Sequence, residues 1–102
     1  MKKFRIVHPG EVIRQNYLAP FEISASRLAR AMKVPANRVA QILNGRRGIS
    51  ADTALRLARV FEVSAYFWLS LQASFELQTA ERKLGARLKV IKLIDPDKVL
   101  AS

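Results

Sequence analysis

The chain has 102 residues, half of them hydrophobic, with no cysteine and a single histidine, His8. That length supports one domain around one core, and the missing cysteines exclude a disulfide scaffold, a thiolate zinc site and a cysteine nucleophile together. Eighteen Lys and Arg against eight Asp and Glu leave a net charge of +10, a surplus that favours nucleic acid, an acidic protein or an anionic membrane surface as partner.

Residues 1–8 read as an arm that Phe4, Ile6 and Val7 can dock as a short strand, with Lys2, Lys3 and Arg5 making it basic. The opening MKKFRIVHPGE carries charge but no apolar run of signal-peptide length, and no stretch nears the ~18–20 apolar residues that span a membrane. The expectation is a cytoplasmic protein with no membrane contact. Pro9 suits a first helical position and Glu11 a first turn. That helix runs through Val12, Ile13 and Tyr17 to Leu18, and Pro20 is expected to stop it. Ser24 is placed to cap a helix over 25–32 whose apolar side holds Leu28, Ala29 and Met32. Lys33 and Val34 make a tight joint. Pro35 opens a short helix carrying Val39, Ile42 and Leu43, and Asn44-Gly45 ends it, because both residues tolerate a left-handed exit.

After the loop Arg46-Arg47-Gly48-Ile49, Ser50 is a second N-cap, for a helix in which Ala54, Leu57, Ala58 and Phe61 recur at spacings of three and four. Ser64 caps the last helix, over 65–84. It carries two apolar tracks, Trp68-Leu71-Phe75 and Leu69-Ala73-Leu77-Ala80-Leu84. One buried stripe suffices in so small a domain; the second asks for a partner subunit or for the C-terminal segment folding back. Gly85 breaks the pattern, and the β-branched and bulky residues of 88–94 suit a short C-terminal strand before Pro96. The expected architecture is all-α, a compact five-helix body at 9–84 between the arm at 1–8 and a tail at 85–102 that supplies a dimer contact.

The basic residues are not evenly spread. Between Glu22 and Asp52 there is no acid, yet Arg27, Arg30, Lys33, Arg38, Arg46 and Arg47 all fall there. Over 24–61 the order is helix, joint, short helix, Asn-Gly exit, basic loop and capped helix, which fits a helix–turn–helix with Ala29 as the small residue at the crossing. Val39 and Ile42 anchor the second helix and leave Ala36, Asn37, Arg38 and Gln41 on its free face. Asn and Gln pair bidentately with adenine, Arg forks onto guanine and an Ala methyl touches thymine. Asn37 and Gln41 share one face; Arg38, a step round, suits a phosphate as well as a base. Ser24 and Ser26 at a helix start, with Arg27, Asn44, Arg46 and Arg47, are the candidates for the DNA backbone. The bland reading of each is a solvated helix face or loop. His8 reads as a helix-start residue, Trp68 and Phe75 as core. No nucleophile, paired carboxylates or metal cluster can be assembled, so no enzyme, metal or cofactor is expected.

HPGEVIRQNYLAP, followed by RLARAMKVPANRVAQILNGRRGISADTALRLARVFEVSAYFWLSLQASFEL, resembles the HigA (host-inhibition-of-growth) antitoxins, the VapI-like branch of the phage-repressor-type helix–turn–helix regulators. The resemblance spans 7–80, and its specific part is NGRRGISADTALRLAR with the FWL-LQ segment. It implies a lambda-repressor-like fold and a small antitoxin that inhibits an mRNA-cleaving, ribosome-dependent toxin encoded beside it. It also implies repression of their shared promoter as a homodimer on a palindromic operator in double-stranded DNA. Carried over by position, it puts 35–41 in the major groove and Asn44 with Arg46-Arg47 on the backbone. Two positions depart from the pattern. Lys33 stands at the joint where the wider superfamily usually has Gly, implying strain or extra charge. Ala25 stands where relatives often have a polar phosphate-contacting residue, which removes one backbone contact. The alternatives are an orphan regulator without a toxin and a protein-binding module for an acidic partner.

Overall fold

In the computed structural model, which describes residues 5–95, four of the five α-helices start at a side chain that accepts one of their first N–H groups. His8 Nδ1 accepts from the Gly10 N–H and opens α1 (Pro9–Val12). Ser24 Oγ accepts from the Arg27 N–H at 3.1 Å and opens α2 (Ala25–Met32). α3 (Ala36–Leu43) begins after Pro35, which serves as its N-cap. Ser50 accepts from the Thr53 N–H at 3.2 Å to start α4 (Ala51–Phe61), and Ser64 from the Tyr66 N–H at 3.1 Å to start α5 (Ala65–Leu84). Each of the four side-chain caps satisfies an amide that has no partner inside its own helix, whereas Pro35 makes no side-chain hydrogen bond.

The exits are as regular as the starts. Glu22, Lys33, Gly45 and Glu62 all have positive φ, between 54° and 75°. At three of them the two chain-reversing hydrogen bonds of a Schellman exit are present. Ile23 N–H donates to Leu18 O with Glu22 N–H to Ala19 O; Val34 donates to Ala29 with Lys33 to Arg30; Arg46 donates to Gln41 with Gly45 to Ile42. Only one of these residues is glycine.

Leu28, Ala29 and Met32 of α2, Val39 and Ile42 of α3, and Ala54 and Leu57 of α4 close on Ile13, Leu18, Ile49 and Trp68. Trp68 is fully buried, with the rings of Tyr17 at 4.9 Å and Phe67 at 5.1 Å. Ala29 of α2 is buried in this core.

Three expectations need correction. Pro20 does not end the first helical run at Leu18. After α1 the chain continues as a π segment, Ile13–Leu18, and Pro20 then sits inside a 3-10 turn, Ala19–Phe21. Such a turn tolerates it because an early helical position needs no N–H donor. The C-terminal strand is absent among the described residues: 85–88 form a 3-10 turn, Gly85–Leu88, and 89–95 form no regular element. A strand needs a neighbour to pair with, and none lies alongside. Residues 5–8 likewise form no strand; Ile6 is half-buried, and Arg5 is held by Glu11 through two hydrogen bonds of 2.6 and 3.0 Å. Phe4, Lys2 and Lys3 lie outside the described residues. The molecule measures 59 × 32 × 21 Å along its principal axes. From Glu76 to Asp95 every residue is exposed, because the second half of α5 runs clear of the core.

Candidate nucleic-acid interface

Reversal of the chain between α2 and α3 falls on Lys33, whose φ of 60° and ψ of 44° are left-handed. For a residue with a Cβ that conformation costs roughly 1 kcal/mol. Arg56 holds the turn from α4: its Nη1 donates to Met32 O at 2.8 Å and to Lys33 O at 3.2 Å. Its Nε donates to Asp52 Oδ1 at 2.8 Å, and the same oxygen accepts from Arg38 Nη1 at 2.9 Å. One carboxylate thereby links the turn, α3 and the start of α4. The hydrogen bonds from Arg56 and then Arg38 hold the Asp52 carboxyl below its ordinary pKa.

With Val39 and Ile42 buried, α3 turns Ala36 and Asn37 fully outward and leaves Arg38 and Gln41 half-exposed. The side chains of Asn37 and Gln41 make no hydrogen bond among the described residues, so the capacity of both amides is unspent. Arg38 differs from them, being anchored on Asp52.

Beyond the Asn44-Gly45 exit, Arg46 and Arg47 project into solvent without an ion pair among the described residues. Asn44 Oδ1 is 3.4 Å from Arg14 Nη2, which also caps the end of α3 by donating to Leu43 O at 3.1 Å. Arg38, Arg47, Gly48, Ser50, Asp52 and Thr53 line an open polar recess of about 440 Å³ at the N-terminus of α4. Two guanidinium groups and a helix start suit a phosphate oxygen.

The α2 candidates lie elsewhere. Ser24 and Ser26 are exposed in the region where α2 begins, and the Ser24 hydroxyl is engaged as a cap. Arg27 lines a second cleft with Tyr17, Phe21, Val60 and Phe61, at the far end of α4 from the recess. Those eleven residues of α4 span about 15 Å, so Arg27 and the Arg46-Arg47 loop form two separate basic positions.

Further supports come from side chains that periodicity does not single out. Gln72 of α5 accepts the Ile49 N–H at 2.7 Å through Oε1, and its amide fills the space where a Cβ on Gly48 would stand. The His8 ring stands edge-on to Phe75 at 4.8 Å and 3.9 Å from where a Cβ on Gly45 would stand, with the Arg47 backbone beside it. Burial lowers its pKa, and the Arg47 contact partly offsets that. A lone glutamine on a long helix reads as solvated. The signal that marks Gln72 is tertiary, its partner lying 23 residues away.

A model of the helix-turn-helix family matches residues 15–68. Virulence-associated protein I of Dichelobacter nodosus is 46% identical over 76 residues, covering 74% of this chain and 70% of that protein. Antitoxin HigA-1 of Vibrio cholerae is 32% identical over 91 residues, covering 88% and 85% respectively. The structure of Pseudomonas aeruginosa antitoxin HigA with the higBA promoter matches with a TM-score of 0.81 and 46% identity, covering 90% of this chain and 98% of that one.

Proposed function

The chain belongs to the helix-turn-helix family of HigA-type antitoxins, a family of DNA-binding regulators rather than enzymes, and from that premise we propose that it represses its own promoter and neutralises a toxin encoded beside it. The observation that carries the DNA-binding half is the division of α3. Val39 and Ile42 fix the helix to the core, while Asn37 and Gln41 face outward with unspent amides beside the basic recess. In this reading Ala36, Asn37, Arg38 and Gln41 read base edges in the major groove. Asn44, Arg46 and Arg47 hold the backbone on one side of the groove; Ser24, Ser26 and Arg27 hold it on the other. Residues 9–84 form the DNA-binding unit, flanked by the arm and the tail.

Two further features belong to the proposal. A two-fold dimer that covers the apolar flank from Leu77 to Ile94 would set two recognition helices about 34 Å apart, matching a palindrome one helical turn long. No described helix is long and apolar enough to cross a membrane, which accords with work on DNA in the cytoplasm.

Fluorescence anisotropy against DNA from just upstream of its gene, beside a shuffled duplex at two salt concentrations, tests the reading. The expected preference is about a thousandfold or more at ~150 mM salt. Equal, weak and steeply salt-dependent binding to both duplexes overturns it. Asn37→Ala or Gln41→Ala should lose about 1–3 kcal/mol on the operator alone. Arg46→Ala or Arg47→Ala should weaken all sequences and lower the salt slope by about 1. Co-expression with the neighbouring small gene then tests the toxin: an antitoxin rescues growth and copurifies, an orphan regulator does neither.

A further inference from the structure

We propose that His8 and Gln72, which lie outside the helix–turn–helix, are positioning residues for the Arg46-Arg47 loop, holding it in the shape that meets the DNA backbone. The inference rests on the reading of that loop as a phosphate contact and adds what orders it.

Up to Arg46 the chain is tied to α3, through Gly45 N–H to Ile42 O at 3.1 Å and Arg46 N–H to Gln41 O at 2.8 Å. From Ser50 onward it is tied to α4. The residues between, Arg47, Gly48 and Ile49, have no helix to lean on. A buried amide still requires an acceptor, and the Ile49 side chain is buried. Its N–H finds that acceptor on a side chain, Gln72 Oε1, at 2.7 Å. A Cβ on Gly48 would come within 2.7–2.8 Å of the Gln72 amide, so the glutamine backs the loop and bonds it as well. On the other side of Gly48 the His8 ring backs the loop, 3.9 Å from where a Cβ on Gly45 would stand and beside the Arg47 backbone, and is itself fixed by the Gly10 N–H at 2.9 Å and by Phe75. Gln72 and Phe75 are three apart on α5 and therefore neighbours on one face. A single face of α5 thus supports both clamps, one on each side of Gly48. Two arginines on a loop so held present their charge without first being ordered by the ligand, which is how preorganisation raises affinity.

The test is a double-mutant cycle, read as affinity for any duplex, since phosphate contacts do not depend on sequence. Gln72→Leu keeps the bulk and removes the acceptor. His8→Asn keeps a cap for Gly10 but removes the ring that backs the loop. Each is measured in the otherwise unchanged protein and in an Arg46→Ala/Arg47→Ala background, with circular dichroism confirming the fold. Positioning through the arginines predicts roughly tenfold weaker binding in the first background, or ~1.4 kcal/mol, and less than twofold in the second. Equal losses in both backgrounds would assign the two residues a general structural role and overturn the proposal, as would no loss in the first. If Gln72→Leu does not fold, His8→Asn carries the cycle alone. Failure of the operator reading itself shows separately, as a lack of sequence preference in the unsubstituted protein.

Discussion

Gly10 is the position where one added carbon does the most damage. It is buried in α1, and a Cβ there would lie 1.9 Å from Ile42 O, 2.8 Å from Ile42 C and 3.0 Å from Leu43 Cα. All three are backbone atoms at the end of α3, so no rotamer change relieves the clash. Since ordinary contact begins at 3.4 Å, α1 and α3 must separate by well over an ångström. Ile13 and Ile42, both buried now, would lose their packing. Overpacking a tight core costs about 1–3 kcal/mol, and a backbone clash belongs at the top of that range. Alanine returns up to ~1 kcal/mol of helix propensity, leaving Gly10→Ala about 2 kcal/mol less stable. For a domain of this size that lowers Tm by roughly 8–16 °C. Gly85→Ala is the control: that glycine has a positive φ of 52°, unlike Gly10, but nothing lies within 4 Å of its Cβ position, and the exposed end of α5 can rearrange without touching the core. Its Tm should move by no more than about 4 °C. Differential scanning calorimetry of the two variants decides the matter. A Gly10→Ala protein melting within a few degrees of the parent would mean that α1 does not ride on the end of α3 as described.

Three other outcomes follow from the same geometry. Lys33→Gly relieves the left-handed strain of the joint, and after the extra entropy of an unfolded glycine it should add about 0.5 kcal/mol; a lower melting temperature would refute the strain. Because burial lowers the His8 pKa from its ordinary 6.5, the folded protein resists protonation there while the unfolded chain accepts it. That contribution is complete above pH 6.5 and is lost as the pH falls through the lower folded value. Urea midpoints at pH 7.5 and 5.5 should therefore differ in the parent and differ less in His8→Asn; Glu11, paired with Arg5 and lowered by it, titrates further down. Asp52→Asn removes an acid from the recess and releases Arg38. Anisotropy should show tighter binding to random DNA and a smaller operator preference, and equal shifts on both duplexes would contradict an orienting role for Asp52.

Much of the fold is legible because its boundaries are local events. Ser24, Ser50 and Ser64 each bond an amide two or three residues on, so the caps can be read from a few letters, and the predicted limits of 25–32 and 65–84 agree with α2 and α5. Asn44-Gly45 announces its exit for the same reason. The left-handed exits at Glu22 and Glu62 carry no such letter; neighbouring packing overrides the intrinsic preference of glutamate. Lys33 stood out only as a departure from a family pattern. The π segment after α1 and the position of Pro20 depend on how Ile13 and Leu18 reach the core, which no short window contains. At 88–94 the composition is right for a strand, yet strand propensity describes a fit to neighbouring strands and is empty without them. The division of α3 into buried and open sides follows from periodicity. The bonds that brace it, the turn before it and the loop after it do not, since Arg14, Arg56 and Gln72 meet partners 23 to 30 residues away.

What sequence periodicity does show about α5, its two apolar tracks, the structure resolves into two separate jobs. The first half is core: Trp68 is buried, Leu71 and Phe75 are half-buried, and among Tyr66, Phe67, Trp68 and Leu69 only Tyr66 turns out, at 85% exposure. The second half is uncovered, with Leu77 at 64% and, beyond Gly85, Leu93 at 95%. A monomer seldom leaves so much apolar surface to water without a use for it. The two halves meet near Gln72 and Phe75, where α5 holds the loop that carries Arg46 and Arg47. In the proposed dimer, whatever covers the second half therefore grips the same rigid helix that sets the backbone-contacting loop. The spacing of the two recognition helices and the posture of each loop would then be fixed by one element. Preorganisation of this kind separates a sequence-selective regulator from a cationic surface of equal charge, since +10 alone attracts any duplex and carries no register.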